Sequence, residues 1–490
     1  MMKPVLHSLW LVMGLWCFAS CQEEVKISSR SEEPSPLMEE YVGVVLPPNI
    51  ASLNFFVEAA DGEEALVLTC GSYLISTVCK DGAMIPDLDD WKELMAGAKG
   101  NEMQVEHCVR TPQGWKAYQA FTLKVAEEAI DPYLAYRLIP PGYEMWNEMG
   151  IYQRNLENFE ETAILNNTQT DRNCMNCHSF CMQNPEQMQL HLRAKHAGTL
   201  LIQGDEITKL ETKTDRTVSA LVYPYWHPSG KFIAYSVNDT KQLFHTHHQN
   251  RIEVMDLSSD VVVYDVEKNE IVTAPQIFGK EVFETFPSFS ADGKTLYYCA
   301  ARQQKMPDDI EKLKYHLCAI SFDAETRSFG DKADTLYHAE QMNKSVSFPR
   351  VSPDGKYLMF TLADYATFPI WHQEADLWMM DLEKGETVCL DMLNSNSVES
   401  YHSWSSNSRW VVFSSRRMDG LYTRPYIAYV HADGTVGKPF VLPQAKGDFY
   451  DKFMNSYNIP ELIKGKVDVG RHELVRKSLS EEKEQVTSRI

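Results

Sequence analysis

A hairpin-forming segment recurs four times in the second half of the chain, and this repeat restricts the fold more than any other sequence feature. Each copy reads as a strand, a tight turn and a second strand. Asp-Gly or Ser-Gly pairs in three of the turns supply the positive φ that a two-residue hairpin needs. The turn residues Gly230, Gly293, Gly355 and Ser408 follow one another at intervals of 63, 62 and 53 residues. The copies are residues 225–235, 287–297, 349–359 and 402–412.

A third strand and a second turn follow each hairpin. Examples are residues 261–265, which precede Lys268-Asn269, and residues 377–381, which precede Lys384-Gly385. Four strands per unit, repeated radially, make a β-propeller. The sequence therefore predicts an all-β chain built around a propeller of five to six blades.

The repeat has a recognisable motif, W/F-x-P-D-G-K followed by V-M-D-L, which resembles the TolB-type propeller repeat over about residues 220–455. This resemblance implies a periplasmic or surface-exposed protein and specifies no activity. The whole chain also resembles bacterial lipoproteins that join a TolB-like propeller to a C-x-x-C-H segment, for which the resemblance implies no defined biochemical role.

Two further blades are expected beyond the four clear repeats, which extends the propeller over residues 132–460. The fifth would contain residues 170–198 as a short helical insertion, and the sixth would be closed partly by a tail of residues 461–490. The strands of the fifth are expected at residues 136–139, 150–153, 199–202 and 207–210.

A separate domain is expected before the propeller. Residues 41–131 contain short apolar and aromatic runs separated by turn residues, with one short helix from about Asp87 to Ala98. About 90 residues of short strands favour a small β-sandwich of immunoglobulin type. Residues 22–40, rich in Ser, Glu and Pro, are predicted to be a flexible tether.

Residues 1–21 have the pattern of a lipoprotein signal peptide. Lys3 gives a basic start, residues 5–18 are mostly apolar, and Phe18-Ala19-Ser20-Cys21 resembles a bacterial lipobox, in which the cysteine is acylated. The alternative is an ordinary signal cut, with Cys21 an incidental thiol. We expect an outer-membrane lipoprotein, periplasmic or surface-exposed, that touches the membrane through its lipid alone.

The net charge restricts the partners. It is −21 for the whole chain and becomes −22 once Lys3 is removed with the signal. Such a charge argues against nucleic acid, which requires a basic surface. The expected partner is a redox protein or another envelope protein.

One segment indicates a chemistry directly. Cys174-Met175-Asn176-Cys177-His178 matches C-x-x-C-H, the attachment motif of haem c, in which two thiols bond the porphyrin and the histidine is the proximal iron ligand. The favoured sixth ligand is His191, followed by His196 and then Met188. This interpretation predicts electron transfer or redox sensing. Residues 185–197 are expected to form a helix, because Asn184 and Pro185 suit its start and Gly198 its end.

A zinc site is the alternative use of the same segment. The spacing from Cys177 to His191 and His196 lies within the C-x2-C…H-x3–5-H pattern, so that His178, His191 and His196 are candidate metal ligands. Haem is favoured because export places the chain where haem c is attached and because zinc does not require His178. A thiol pair or a disulfide is the third possibility. With zinc or a disulfide the protein would be a non-catalytic binding or scaffold lipoprotein.

A candidate ligand face lies in the last two blades, where histidines and arginines gather in loops between strands. Guanidinium groups beside aromatic rings can stack a ring and hold a carboxylate or phosphate. The alternative is that Arg416 and Arg417 pair with Asp364, Glu374 or Asp419 and tie the blades together. No G-x-S-x-G or H-E-x-x-H motif is present, and no catalytic residue is predicted. The candidate face residues are His372, Glu374, His402, Arg416, Arg417 and Arg424.

Overall fold

The computed structural model describes residues 25–57, 62–140, 148–245 and 250–489. Cys21 and the signal peptide lie outside the described residues. Most of the secondary structure in these ranges is β-strand. An N-terminal β domain comes first in the chain, and six sheets of at least four strands each then form a six-bladed β-propeller. The all-β propeller prediction is confirmed. No helix in the described ranges is both apolar enough and long enough to cross a membrane.

The N-terminal domain is a single seven-stranded sheet, in the order β1-β8-β7-β4-β5, with β9 beside β7 and β2 beside β9. Strands β3 and β6 form a separate two-stranded sheet. The helices are α1 (Met38–Tyr41) and α2 (Leu88–Ala98). The strands are β1 (Ile27–Pro34), β2 (Val45–Leu46), β3 (Phe55–Phe56), β4 (Glu64–Cys70), β5 (Tyr73–Val78), β6 (Ala83–Met84), β7 (Glu102–Thr111), β8 (Gly114–Gln119) and β9 (Phe121–Val125).

This arrangement differs from the expected immunoglobulin-type sandwich because a helix covers the sheet. The side chains of Trp91, Leu94 and Met95 on α2 are fully buried in the core that also contains Leu66 and Leu68 of β4. The helix begins as expected, since the Asp87 carboxylate accepts hydrogen bonds from the amides of Asp89 and Asp90.

The propeller strands follow in chain order. They are β10 (Tyr133–Ile139), β11 (Gly150–Asn155), β12 (Glu161–Asn166); β13 (Met175–Phe180), β14 (Gln187–Leu192), β15 (Gly198–Gln203), β16 (Glu206–Glu211); β17 (Leu221–Trp226), β18 (Phe232–Phe244), β19 (Ile252–Asp265), β20 (Glu270–Val272); β21 (Val282–Phe289), β22 (Thr295–Arg302), β23 (His316–Asp323), β24 (Ser328–Phe329), β25 (Asp334–Tyr337); β26 (Ser345–Val351), β27 (Tyr357–Ala363), β28 (Asp376–Asp381), β29 (Thr387–Cys389); and β30 (Glu399–Trp404), β31 (Trp410–Ser415), β32 (Arg424–Tyr429), β33 (Phe440–Val441).

The last part of the chain closes the ring. Its strands and the remaining helices are α3 (Ala339–Met342), α4 (Phe449–Lys452), β34 (Ser456–Ile463), α5 (Arg471–Leu479), β35 (Glu484–Gln485) and β36 (Thr487–Arg489). Strand β34 pairs antiparallel with β10 and so becomes the innermost strand of the first blade. Strands β35 and β36 add to the outer edges of the second and third blades. The closing strand therefore lies mostly before the tail expected at residues 461–490, and it completes the first blade in chain order.

The segment at residues 170–198 is not a helical insertion. It forms strands β13 and β14 of a complete second blade, and the strands expected to enclose it belong to two different blades. The helix expected at residues 185–197 is wrong. Met188, Leu190 and Leu192 alternate along the chain and are all fully buried, so a strand, in which alternate side chains share a face, buries them together.

A β-bulge interrupts every innermost strand, at the point where its register with the neighbouring strand shifts. One residue at each bulge is left-handed, with φ between 45° and 54°. A non-glycine residue pays about 1–2 kcal/mol for this conformation. Its recurrence in all six blades indicates a property of the fold. The six residues are Cys177, Tyr223, Phe286, Phe348, Tyr401 and Ile459.

The same six residues form a plug across the propeller axis, which we call the axial plug. Four of them are aromatic and contact one another in sequence around the axis, with ring centroids 4.5 Å apart for Tyr223–Phe286 and Phe286–Phe348 and 4.6 Å apart for Phe348–Tyr401. Ile459 and Cys177 hold the two remaining positions. Cys177 is 3% exposed and therefore acts here as a small apolar residue.

Candidate functional site: the axial cavities

The axial plug divides the centre of the propeller into two cavities. The wide cavity has a volume of about 590 Å³ and the narrow cavity about 70 Å³. Tyr401 and Ile459 border both, so the plug forms the floor of each. The wide cavity is of the size that small-molecule sites have, about 300–1,000 Å³.

The wide cavity combines apolar walls with a few charged groups. Apolar side chains from several blades line it, including Tyr223 of the plug, Phe368 and Ile370. The charged residues among its described lining are Arg137, Arg193 and Asp239. A largely apolar pocket with a few placed polar groups is the usual form of a ligand site.

Arg137 lies on β10 at the inner end of this cavity. Its guanidinium donates to the backbone oxygen of Met175 at 3.3 Å and to Asn458 Oδ1 at 2.7 Å. Its buried Nε has no hydrogen-bond partner. Burial lowers the pKa of Arg137, and the charge of Arg193 acts in the same direction.

His191 stands on β14, in the wall of the wide cavity. Its Nδ1 lies 3.0 Å from Thr199 Oγ1, which holds the ring in place. Burial lowers the pKa of His191 to about 3, and the charge of Arg193 adds to this effect. His191 is therefore a neutral imidazole at physiological pH.

The structure separates the members of the C-x-x-C-H motif. Cys174 lines the wide cavity, Cys177 belongs to the axial plug, and His178 lines the narrow cavity. Both thiols are free and buried. Burial raises the pKa of the Cys174 thiol, while the guanidinium groups of Arg137 and Arg193 oppose that rise.

His178 is enclosed on the narrow side of the plug. Neither of its ring nitrogens has a hydrogen-bond partner within normal distance and angle. Burial lowers the pKa of His178 to about 3, the charge of Arg137 acts in the same direction, and the Ile459 backbone opposes both. His402 lines the same cavity, and its Nε2 lies 2.9 Å from the backbone oxygen of Met359.

The three histidines proposed as metal ligands lie in different places. His191 faces the wide cavity and His178 the narrow one, whereas the Nε2 atom of His196 lies 3.0 Å from Asp171 Oδ2 and its Nδ1 lies 3.4 Å from Glu481 Oε1. Among the described residues, no group of three His, Cys, Asp or Glu side chains is arranged to hold a metal ion.

The three arginines of the candidate ligand face tie loops together. The Arg416 guanidinium stacks on Trp371, 3.5 Å from the ring centroid, and Arg417 Nη2 lies 3.1 Å from Glu399 Oε1. Arg424 donates to the backbone oxygens of three residues, Tyr450, Phe453 and Asn455. Neither Asp364 nor Glu374 is among these partners of the arginines. Asp419 does lie near one of them, with its Oδ2 3.9 Å from Arg424 Nη2.

Of the other members of that face, His372 and His402 are buried and Glu374 is partly buried. His372 is 1% exposed, and its Nδ1 lies 3.1 Å from Glu374 Oε1. His402 faces the narrow cavity, on the other side of the axial plug from the wide one. The six residues proposed as one face therefore do not line one cavity.

Sequence reasoning missed the residues that do meet in the wide cavity. Arg137, Arg193 and Asn458 come from distant parts of the chain and belong to no motif. A signal for the bulge was present, because Cys177-His178-Ser179-Phe180 matches Tyr401-His402-Ser403-Trp404 in the last repeat. That match identifies C-M-N-C-H as part of an innermost strand.

Comparisons with known proteins identify no family for this chain. No family model matches the chain, and no curated protein matches it. Among solved structures, prolyl oligopeptidase B from Galerina marginata is 11% identical with a TM-score of 0.35, over 62% of this chain and 44% of that one. The chain thus spans less than half the length of that peptidase.

Two other solved structures show similar levels of likeness. A puromycin-hydrolyzing peptidase of Mycobacterium tuberculosis is 12% identical with a TM-score of 0.35, over 86% of this chain and 57% of that one. A DUF4784 family protein from Bacteroides caccae is 8% identical with a TM-score of 0.30, over 71% of this chain and 93% of that one.

Proposed function

We propose that this protein is a non-catalytic binding protein of the bacterial cell envelope, related to TolB-like lipoproteins, and that a small-molecule ligand occupies the wide axial cavity. The observation that carries the proposal is the cavity itself, about 590 Å³ in volume and floored by the axial plug. Its walls come from several blades, so a ligand there would contact a rigid frame.

A cavity-filling substitution tests this site. Ala220 lines the wide cavity, and Ala220→Trp would occupy part of it. Ala96 is exposed on α2, so Ala96→Trp is the matched control. The assay is thermal shift with a panel of amino acids, short peptides, saccharides and aromatic acids. We expect a compound that stabilises the parent protein and the control and loses its effect with Ala220→Trp. No stabilising compound, or one indifferent to Ala220→Trp, would contradict the proposal.

A haem c protein is the second candidate, because of the C-x-x-C-H motif. Covalent attachment requires both thiols and the imidazole to meet one porphyrin. Here Cys174 and His178 lie on opposite sides of the axial plug and Cys177 lies within it. These residues do not fit the group in this fold, and electron transfer or redox sensing stays a prediction of the sequence.

Covalent haem has a direct test. The protein is produced with the cytochrome maturation machinery, denatured and stained for haem on a gel, with Cys177→Ala as control; metal analysis of the same sample tests zinc. We expect no stained band and no stoichiometric zinc. A stained band that Cys177→Ala removes would show that the inner strand is rebuilt around haem.

The membrane anchor is a further part of the proposal, carried by the lipobox pattern that ends at Cys21. We expect the parent protein to incorporate labelled palmitate and to sediment with membranes, and Cys21→Ala to do neither. Label retained by Cys21→Ala would contradict the lipoprotein assignment and leave the binding site untouched.

A further inference from the structure

We infer that the wide cavity binds a small organic anion, whose carboxylate or phosphate oxygens contact Arg137 and Arg193 and whose apolar body lies on the axial plug. The inference rests on the proposed function, since it names the ligand class of the same cavity. It is argued from the unbalanced charge, the open donor positions and the composition of the walls.

The first observation is a half-buried guanidinium without a counter-anion. Arg137 donates to a backbone oxygen and to an amide oxygen, both neutral, and no Asp or Glu of the described residues is among the charges that shift its pKa. Its Nε is buried and has no partner. A charge removed from water without a compensating charge is costly. An anion in the cavity would supply both the missing charge and an acceptor.

The second observation is a neighbouring like charge. Arg193 follows β14 and lines the same cavity. Arg137 and His191 line that cavity too, and the charge of Arg193 disfavours the protonated form of both. Among the described residues no carboxylate pairs with Arg193. Two cations that repel each other across a cavity are both relieved by one shared anion.

The third observation is the contrast with the rest of the chain. The protein carries a net charge of −21, yet its wide cavity has two arginines against one acid, Asp239, among the described residues. A pocket lined by one sign of charge with apolar walls concentrates counter-ions of the opposite sign. The acidic surface of the rest of the protein would repel an anion, so an anion would bind in this cavity.

The walls indicate what the anion is attached to. Tyr223, Tyr401 and Ile459 form the floor, and Phe368 and Ile370 continue the apolar surface beside it. Inorganic ions leave such a surface unused, whereas an aromatic or aliphatic acid covers it. Guanidinium forks match carboxylate and phosphate oxygens equally well in geometry, so the shared chemistry is an anionic head on an apolar body.

The test compares charged and neutral probes of one shape by titration calorimetry on the full chain. The probes are 4-phenylbutyrate, 3-phenylpropyl phosphate, the neutral 4-phenylbutyramide and inorganic phosphate. We expect either organic anion to bind at least about tenfold more tightly than the amide, because hydrogen bonds to a charged group are the stronger kind. The ratio between the two anions distinguishes a carboxylate ligand from a phosphate one.

Three variants locate the preference. Arg137→Gln and Arg193→Gln are expected to reduce the preference for the anions over the amide about tenfold each. Arg302 is exposed and does not line the cavity, so Arg302→Gln should leave the preference unchanged. If Arg137→Gln does not fold, Arg193→Gln still tests the preference for anions, because Arg193 is exposed.

The outcomes separate this inference from the proposed function. If the amide binds as tightly as the anions and Ala220→Trp abolishes both, the cavity is a ligand site and the anion inference is overturned. If no probe binds, both are overturned. If Arg302→Gln weakens the anions as much as Arg137→Gln does, the effect comes from overall charge and the assignment fails.

Discussion

Replacing Cys177 by alanine and by glycine tests whether the second cysteine of C-x-x-C-H is held as a bulge residue of the axial plug. Cys177 has φ +50° and is 3% exposed. Cys299 is the matched control, since it is fully buried in β22 and is absent from the left-handed residues. Both positions are therefore replaced by alanine and by glycine.

The expected energies follow from the backbone. Loss of the thiol costs about 1 kcal/mol at either position, the value for a buried group of methylene size. Glycine within an ordinary strand costs a further ~0.5–1 kcal/mol relative to alanine. At Cys177 glycine also removes the penalty of about 1–2 kcal/mol that a side chain pays for positive φ. Cys177→Gly should therefore be as stable as Cys177→Ala or more so, and Cys299→Gly should be less stable than Cys299→Ala.

The measurement is urea unfolding followed by fluorescence at one pH under reducing conditions. The quantity of interest is the alanine-to-glycine difference at Cys177 minus that at Cys299, expected to be about 1–2 kcal/mol in favour of glycine at Cys177. An equal glycine penalty at both positions would refute the bulge assignment, and with it the placement of the motif in the plug.

Two further predictions concern buried charge. Burial raises the pKa of Glu461 to about 7 against the opposing effects of the Phe180 amide and of Arg350, so the folded state keeps its proton when the unfolded state has lost it. The free energy of unfolding should therefore fall as the pH rises from about 4.5 to 7, by a few kcal/mol at most because one pKa unit is about 1.4 kcal/mol. Urea unfolding of Glu461→Gln across this pH range should lack that part of the pH dependence. An unchanged pH dependence in the variant would contradict the prediction. Arg417→Ala should cost about 3–5 kcal/mol because it leaves the fully buried Glu399 without its cation, and the double variant with Glu399→Gln should recover part of the loss. Equal stability of the single and double variants would show that the pair is not coupled.

The propeller could be predicted because its repeats carry their own turn chemistry. Asp292-Gly293 and Asp354-Gly355 specify hairpins locally, and the helix that begins after Asp87 has a visible cap. The first blade could not be recognised in the same way. Its innermost strand, β34, comes from the far end of the chain, and nothing in residues 133–166 indicates that partner.

The site was harder to predict than the fold, for a physical reason. A bulge depends on how two strands pair, and one strand's sequence does not show it. Cys177 and His178 therefore resemble a haem motif until their strand is aligned with the innermost strands of the other five blades. Arg137 and Arg193 line one cavity only because their two blades are arranged around a common axis. Charge and burial in a cavity of this kind are properties of the closed ring, and no local spacing encodes them.

Closure by β34 has a consequence for how the chain is made. Tyr133 of β10 pairs with Ile463 of β34, a strand near the end of the chain. The inner edge of the first blade is therefore uncovered until β34 has been synthesised. Until then β10 presents unpaired backbone groups, which can recruit strands of other molecules. A chain that ends before Ser456 would lack the inner strand of that blade and the Ile459 position of the plug. Premature termination before β34 should therefore leave an open ring that aggregates, whereas loss of β35 and β36 alone, which cover only the outer edges of two blades, would leave the ring closed.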